Sequence, residues 1–216
     1  MTEEKLYTGF DRQWIGGHWI TGSDSRHVNH DINPYDQTEL VQIQGASRAD
    51  VDHAYESAEK NQAAWASDPS LRMKILENVL TVMKKRKEEI VGWLIRESGS
   101  TRIKAQAEWE LAYHITERSV QYPLEASGMI VPSSFPGQSS YVYREPIGVV
   151  GIISPWNVPL HLTMRSLAPA LALGNTAVLK PASNTPVTGG LLCGKIFEEA
   201  GLPAGVLHVV VGSGSI

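Results

Sequence analysis

The sequence has 216 residues, of which 42% are hydrophobic and 19% are charged, a balance that supports a buried core and excludes a disordered polyelectrolyte. Its 19 Lys and Arg residues and 23 Asp and Glu residues give a formal net charge of −4, so we expect no nucleic-acid partner and no anionic membrane partner. The acidic residues near the N-terminus and the shortness of the apolar stretches predict neither a signal peptide nor a membrane span, and hence a cytoplasmic protein.

Cysteine and histidine usage argues against a metal site. The sequence contains one cysteine, Cys193, and seven histidines, which excludes an internal disulfide and a cysteine-rich zinc site. The histidines closest in sequence, His27 and His30, lie in the polar stretch 23–31, which we interpret as a surface loop. Cys193 lies within an apolar helical pattern, without a nearby base, so we expect a structural role and not a nucleophile.

Short strands are predicted at the start of the chain. The segment 14–20 is typical of a small hairpin that turns at its two central glycines. A turn at 33–36 precedes a short apolar segment, 40–43, which we interpret as another strand.

Four helices are predicted next, from their capping signals and apolar spacing. The signals are a capping box of Ser47 and Asp50, a cap at Asp68 before Pro69, a glycine stop at Gly99, and a fourth periodic segment over about 103–122. In that fourth helix we expect Leu111, Ile115 and Tyr122 to form the apolar side.

The second half of the sequence begins with a predicted protruding hairpin. Two strand-like pieces, 129–131 and 140–143, lie on either side of a turn-rich segment, 132–138. We assign this hairpin to residues 128–146.

Strands and helices then alternate. Apolar strands are predicted at 149–153, 176–179 and 206–211, with helices at 160–173 and 186–200, the second capped by Thr185. We expect the strand at 149–153 to be buried on both faces. Such strands, joined by helices, predict an α/β fold with a parallel sheet and helices on both faces. Three strands are fewer than usual for such a sheet, so we expect a partial chain whose fold is incomplete at the C-terminus.

Three segments follow the predicted strands and should share one sheet edge, where ligands bind in open parallel sheets. They are 154–159, 180–184 and 212–215. Lys180 is suited to ribose hydroxyls or a phosphate, and Asn157, between two prolines, could donate to an oxyanion. The alternative is that the prolines shape turns, Asn157 caps a helix and Lys180 is a solvated charge. Gly212 and Gly214 begin a weak dinucleotide-type pattern that fits a plain turn equally well.

Several motifs together resemble the aldehyde dehydrogenase superfamily. They are 144–157 (REPIGVVGIISPWN), 169–176 (PALALGNT), 180–183 (KPAS) and 200–207 (AGLPAGVL), supported by Asn33-Pro34 and by Glu97-Ser98-Gly99. The segment 162–169 is most similar to benzaldehyde and vanillin dehydrogenases.

The resemblance implies a Rossmann-like NAD(P)-binding domain divided into three parts. Residues 1–127 would form its N-terminal part, 128–146 an oligomerisation hairpin, and 147–216 the cofactor-binding segment, with the catalytic domain absent. The hairpin implies a homodimer or homotetramer in the full-length protein.

The resemblance also assigns individual roles. Asn157 would help to form the oxyanion hole. The cofactor, NAD or NADP, would be bound by Ser154, Pro155, Trp156, Asn157, Lys180, Ser183, Gly212 and Gly214. The substrate would be faced by Val158, His161, Leu162 and Arg165.

Ser183 is a departure from the family pattern. Many NAD-selective members have glutamate at this position, where it binds the ribose hydroxyls and repels a 2′-phosphate. We therefore expect the enzyme to tolerate NADP.

The implied reaction is oxidation of an aldehyde, which could be aromatic, to the carboxylic acid through a cysteine thiohemiacetal. The family's cysteine nucleophile and glutamate base would lie beyond Ile216, so we expect the chain alone to be inactive. Two alternatives remain open. One is a CoA-acylating or semialdehyde dehydrogenase relative, and the other is a non-catalytic protein that uses the fold for binding or assembly.

Overall fold

The computed structural model describes residues 6–214. Residues 1–5, which include the acidic start, and Ser215 and Ile216, at the end of the glycine segment, lie outside the described residues.

Strands in the described range belong to three sheets. They are β1 (Gln13–Ile15), β2 (His18–Ile20), β3 (Asp24–Ile32), β4 (Glu39–Gly45), β5 (Met129–Pro132), β6 (Ser139–Val142), β7 (Val149–Ile153), β8 (Thr176–Lys180) and β9 (Leu207–Val209). The helices are α1 (Arg48–Ala66), α2 (Pro69–Lys85), α3 (Lys87–Ser98), α4 (Arg102–Ser119), α5 (Tyr122–Glu125), α6 (Pro159–Ala172) and α7 (Leu192–Glu199), with a π-helical turn at Val187–Leu191. Between residues 6 and 214, no helix is both long and apolar enough to cross a membrane.

The main sheet has five strands in the order β2-β1-β9-β8-β7. The strands β7, β8 and β9 run parallel, which confirms the predicted parallel α/β core. The hairpin predicted at 14–20 is also confirmed, but β1 pairs antiparallel with β9 and so adds two strands to this sheet. The sheet is therefore mixed, with an antiparallel hairpin at one edge and β7 at the other.

Helices cover both faces of the sheet, as predicted. On one face, Ala54 and Ala58 of α1 pack against Val178 and Val210. On the other, α6 and α7 join α2, α3 and α4 in a larger core that contains Ala177, Leu179, Leu207 and Val209 from the strands. The sheet is thus the middle of three layers, with its carboxyl edge open to solvent.

Several predicted helix ends are confirmed. Ser47 and Asp50 form a reciprocal capping box at the start of α1, and Asp68 accepts the backbone N–H of Leu71 at the start of α2. Gly99 ends α3 with φ 63°, a left-handed conformation that glycine adopts without steric cost.

Arg72 joins the ends of two helices. Its guanidinium donates to the carbonyls of Trp65 and Ala66, at the end of α1, and of Ala172, at the end of α6, at 3.0, 2.5 and 2.9 Å. These carbonyls lack partners within their own helices, and they lie at the negative ends of the helix dipoles. A buried cation is therefore neutralised by two helix C-termini.

Four predictions about local structure are wrong. The first concerns the polar stretch 23–31, which forms β3 and pairs antiparallel with β4 instead of a loop. Backbone hydrogen bonds to β4 hold it, and Asp24, Asn29 and Asp31 are buried despite their polarity. Strand pairing depends on backbone hydrogen bonds, which a polar segment can also form. The lack of apolar alternation in 23–31 therefore did not indicate a loop.

The second and third concern exposure. Leu111 is 51% exposed, because α4 packs inward through Ala105, Glu108, Trp109, Ala112, Thr116 and Ser119. Tyr122 lies in the separate short helix α5, beyond the end of α4. The strand β7 buries Ile152, but Ile153 is 83% exposed, because it ends an edge strand and lines a cavity between the sheet and α1.

The fourth concerns Thr185, whose hydroxyl caps no helix and has no hydrogen-bond partner. The backbone N–H groups of Val187 and Thr188 are instead bound by the carboxylate of Glu97, which is buried at the end of α3, at 2.6 and 2.7 Å. Burial and the neighbouring Asp31 raise the pKa of Glu97. A carboxylate from another helix has therefore replaced the local cap.

His208 of β9 connects the β1–β2 hairpin to the parallel strands. Its Nδ1 accepts the backbone N–H of Gly16 at 3.1 Å, and its Nε2 lies 3.2 Å from the carbonyl of Gly205, to which it donates. The ring is fully buried, and burial lowers its pKa to about 4. The neutral imidazole is therefore the form that fits the fold.

We predict that His208 makes the fold acid-sensitive. The unfolded chain binds a proton near pH 6.5 and the folded chain only near pH 4, so stability falls as pH drops through that window. Between pH 6.5 and 4.5 the wild type should lose about 2–3 kcal/mol of unfolding free energy more than His208→Gln, from 1.36 kcal/mol per pKa unit. Chemical denaturation at each pH measures this, with the carboxylates common to both proteins as the internal control. Parallel curves would contradict the assignment.

Candidate cofactor and oxyanion site

The carboxyl ends of β7, β8 and β9 meet at one edge of the sheet, as predicted. A cavity of about 210 Å³ lies there, between the sheet and α1. It is lined by Ala46, Val51, Tyr55, Gly151, Ile152, Ile153, Val178, Lys180, Val210, Gly212 and Ser213. Two predicted cofactor residues, Lys180 and Gly212, are therefore brought together.

Lys180 is the one cationic side chain of this lining. It ends β8 and is half-buried, and burial lowers the pKa of its ammonium group. Its Nζ donates to the Pro181 carbonyl at 3.4 Å, which is a long hydrogen bond. Since an ammonium group has three donors, it retains the capacity to bind hydroxyl or phosphate oxygens of a ligand.

Tyr55 of α1 is a cavity residue that is not among the predicted site residues. Its ring is 41% exposed, and a Cβ atom added at Gly151 would lie 2.6 Å from its hydroxyl oxygen. The phenol thus occupies the space that a side chain at Gly151 would need. Its position in a helical pattern gave no signal of this, because only the tertiary structure places this part of α1 against β7.

Asn157 lies in the turn between β7 and α6, and its side chain is solvent-exposed. Hydrogen bonds hold the start of this turn against α6. The hydroxyl oxygens of Ser154 and Thr163 lie 2.5 Å apart, and Thr163 donates to the Gly189 carbonyl at 2.7 Å. Ser154 is buried. An amide on a turn held in this way can present its N–H groups to a developing negative charge.

The other predicted cofactor residues share the edge without lining the cavity. Pro155 and Trp156 are exposed in the turn after β7, and Trp156 has 60% of its surface accessible. Ser183 and Gly214 are exposed in the turns after β8 and β9. Their roles remain predictions.

The predicted substrate residues occupy the start of α6. Val158 is the N-cap residue, His161 and Leu162 are half-buried, and Arg165 is exposed one turn later. Burial and the nearby Arg165 lower the pKa of His161, so the neutral imidazole is favoured. These four residues follow Asn157 in the chain and lie in the first two turns of α6 or at its N-cap.

Cys193 agrees with its predicted structural role. The side chain is fully buried in α7, and burial raises the pKa of its thiol to about 12. Because the thiolate is the nucleophilic form, Cys193 is unsuited to attack a substrate.

Comparison with known proteins identifies the family. Residues 19–216 match the sequence profile described as the aldehyde dehydrogenase family. The chain belongs to the aldehyde dehydrogenase family. The match confirms the resemblance drawn from the motifs.

Similar proteins include enzymes that act on aromatic aldehydes. A vanillin dehydrogenase of Corynebacterium glutamicum is 51% identical over 212 residues, which cover 97% of this chain and 44% of that protein. A benzaldehyde dehydrogenase of Bacillus subtilis is 43% identical, over 95% of this chain and 42% of that protein. A solved NAD-dependent benzaldehyde dehydrogenase from Corynebacterium glutamicum superposes with a TM-score of 0.92 at 50% identity, covering 95% of this chain and 45% of that one. The chain thus spans less than half the length of these relatives.

Proposed function

We propose that the protein is an NAD(P)-dependent aldehyde dehydrogenase that oxidises an aromatic aldehyde to the carboxylic acid, and that it acts in the cytoplasm. The observation that carries this proposal is the juxtaposition of Asn157, on a turn anchored through Ser154 and Thr163, with the Lys180 cavity at the same sheet edge. The similarity to vanillin and benzaldehyde dehydrogenases supports the aromatic substrate class.

The cavity has features that fit a dinucleotide cofactor. Lys180 offers N–H donors for a ribose hydroxyl, and Gly212 lines the cavity without a side chain, so its backbone can lie close to a ligand. The cofactor would be held by Lys180 and Gly212, with Ser154, Pro155, Trp156, Ser183 and Gly214 along the same edge. When bound, its nicotinamide would accept the hydride that leaves the aldehyde carbon.

Within this chain, the catalytic contribution is the amide of Asn157. Addition of a thiolate to an aldehyde places negative charge on the carbonyl oxygen, and the Asn157 N–H groups would stabilise that charge. Val158, His161, Leu162 and Arg165 would face the aldehyde. Because the thiol of Cys193 is buried and protonated, the attacking thiol must come from outside residues 1–216.

We predict separable effects of Asn157 and Lys180. In the full-length protein, Asn157→Ala should lower kcat about 10²–10³-fold, as expected for loss of an oxyanion donor. Lys180→Met should instead weaken cofactor binding about 10–100-fold, the loss of one charged hydrogen bond. Reduction of NAD(P)+ with vanillin or benzaldehyde measures the first, and cofactor fluorescence titration the second.

Lys74→Met, at an exposed position of α2, is the control for loss of a surface charge. Absence of aldehyde oxidation by the wild type would refute the proposed function. Product formation only when coenzyme A is added would favour the acylating alternative.

A further prediction concerns cofactor choice at Ser183. Its hydroxyl carries no charge to repel a 2′-phosphate, so NAD and NADP should be used with less than ~100-fold preference, equivalent to ~2.7 kcal/mol. Ser183→Glu should shift the preference towards NAD. Steady-state kcat/KM with both cofactors measures this, and a wild-type preference above ~100-fold would contradict it.

The hairpin 128–146 is proposed to join subunits into a homodimer or homotetramer. It forms a separate two-stranded sheet whose Met129, Ile130, Phe135, Tyr141 and Tyr143 are at least half exposed. Several large apolar side chains exposed on one hairpin are typical of a protein interface.

We predict that Ile130→Asp dissociates the full-length protein, because a carboxylate would be buried in the interface. Ile103→Asp, at an isoleucine 81% exposed on α4, is the matched control and should leave the assembly intact. Sedimentation equilibrium gives the masses. Equal masses for wild type and Ile130→Asp would rule out the hairpin as the interface.

A further inference from the structure

The start of α6 lacks a cap of its own. Its N-cap residue, Val158, has no side-chain hydrogen bond, and Pro159 has no backbone N–H. The first backbone donors of the helix, those of Leu160 and His161, therefore need acceptors from elsewhere.

Glu108 of α4 supplies those acceptors. Its Oε1 accepts the Leu160 N–H at 2.8 Å, and the backbone N–H of His161 lies close enough to the same carboxylate to favour its charged form. The residue is only 1% exposed. Lys104 holds the second oxygen, with Nζ at 3.4 Å from Oε2, and is itself bound to the Ser100 hydroxyl at 2.7 Å.

We propose that Glu108 is a positioning residue that sets the orientation of Asn157 by capping α6. This rests on the proposed function, in which Asn157 stabilises the oxyanion. Asn157 immediately precedes the N-cap residue, so the place where α6 begins determines where its amide points. Without Glu108, the buried Leu160 N–H loses its acceptor and the first turn of α6 can fray.

Arg72 provides a matched control at the other end of the same helix. It binds the carbonyl of Ala172, about 20 Å from Pro159 at a rise of 1.5 Å per residue. Loss of either side chain should destabilise α6, but only loss of Glu108 should disturb Asn157.

The test compares Glu108→Ala, Glu108→Gln and Arg72→Met in the full-length protein. Glu108→Ala should lower kcat about 10–100-fold, since a misplacement of about 1 Å can cost 10²-fold, while the KM for the cofactor changes little. Glu108→Gln keeps an oxygen for the Leu160 N–H and should restore most of kcat. Arg72→Met should lower the Tm and leave kcat nearly unchanged. A folded Glu108→Ala with wild-type kcat, or an Arg72→Met with the same loss of kcat, would overturn the proposal.

Crystal structures of the variants provide a readout that needs no activity. Asn157 should be displaced in Glu108→Ala, and in Glu108→Asp, whose shorter side chain covers the case in which the alanine variant does not fold. An unmoved Asn157 would overturn the positioning role. If the wild type oxidises no aldehyde, the proposed function is refuted but the positioning role of Glu108 is not. The displacement of Asn157 in the crystal structures still tests that role.

Discussion

Neutralisation of both ends of α6 by buried charges is the interaction on which the candidate site depends. The carboxylate of Glu108 binds the Leu160 N–H at its start, and the guanidinium of Arg72 binds the Ala172 carbonyl at its end. Each charge is opposite in sign to the helix dipole it meets. Because a buried charge is tolerated only with such partners, helix and side chains fix one another in place. The turn that carries Asn157 is the direct continuation of this clamped helix.

The same arrangement recurs in the helical layer beneath the sheet. The carboxylate of Glu97, at the end of α3, binds the N–H groups of Val187 and Thr188, at the π-helical turn before α7. The helices α2, α3 and α4 thus each contribute one ionisable side chain to an end of a helix from the second half of the chain. The first 127 residues therefore have two roles. They bury the apolar surface of the sheet and its helices, and their side chains bind the backbone groups at the ends of helices that flank the sheet.

The opposite edge of the sheet is secured by a neutral imidazole. His208 joins the β1–β2 hairpin to β9 and adds two antiparallel strands to the parallel core. At the β7 edge, the end of β7 and the start of α1 form walls of the Lys180 cavity. The gap between them leaves Ile153 exposed and is the space that a ligand would occupy.

Local sequence signals were sufficient to predict the elements that begin or end at a capping residue or a glycine. The capping box of Ser47, the stop at Gly99 and the parallel strands β7 to β9 depend on neighbouring residues, and the family motifs placed Asn157 and Lys180 at one sheet edge. The tertiary structure alone decided that the polar segment 23–31 is a strand, that Ile153 is exposed, and that Glu108 and Arg72 hold α6. In each case the partner is a backbone group or surface far away in the chain. In the sequence, Glu108 and Arg72 cannot be distinguished from solvated charges on a helix. Only the structure shows the unpaired backbone groups of α6 that they bind.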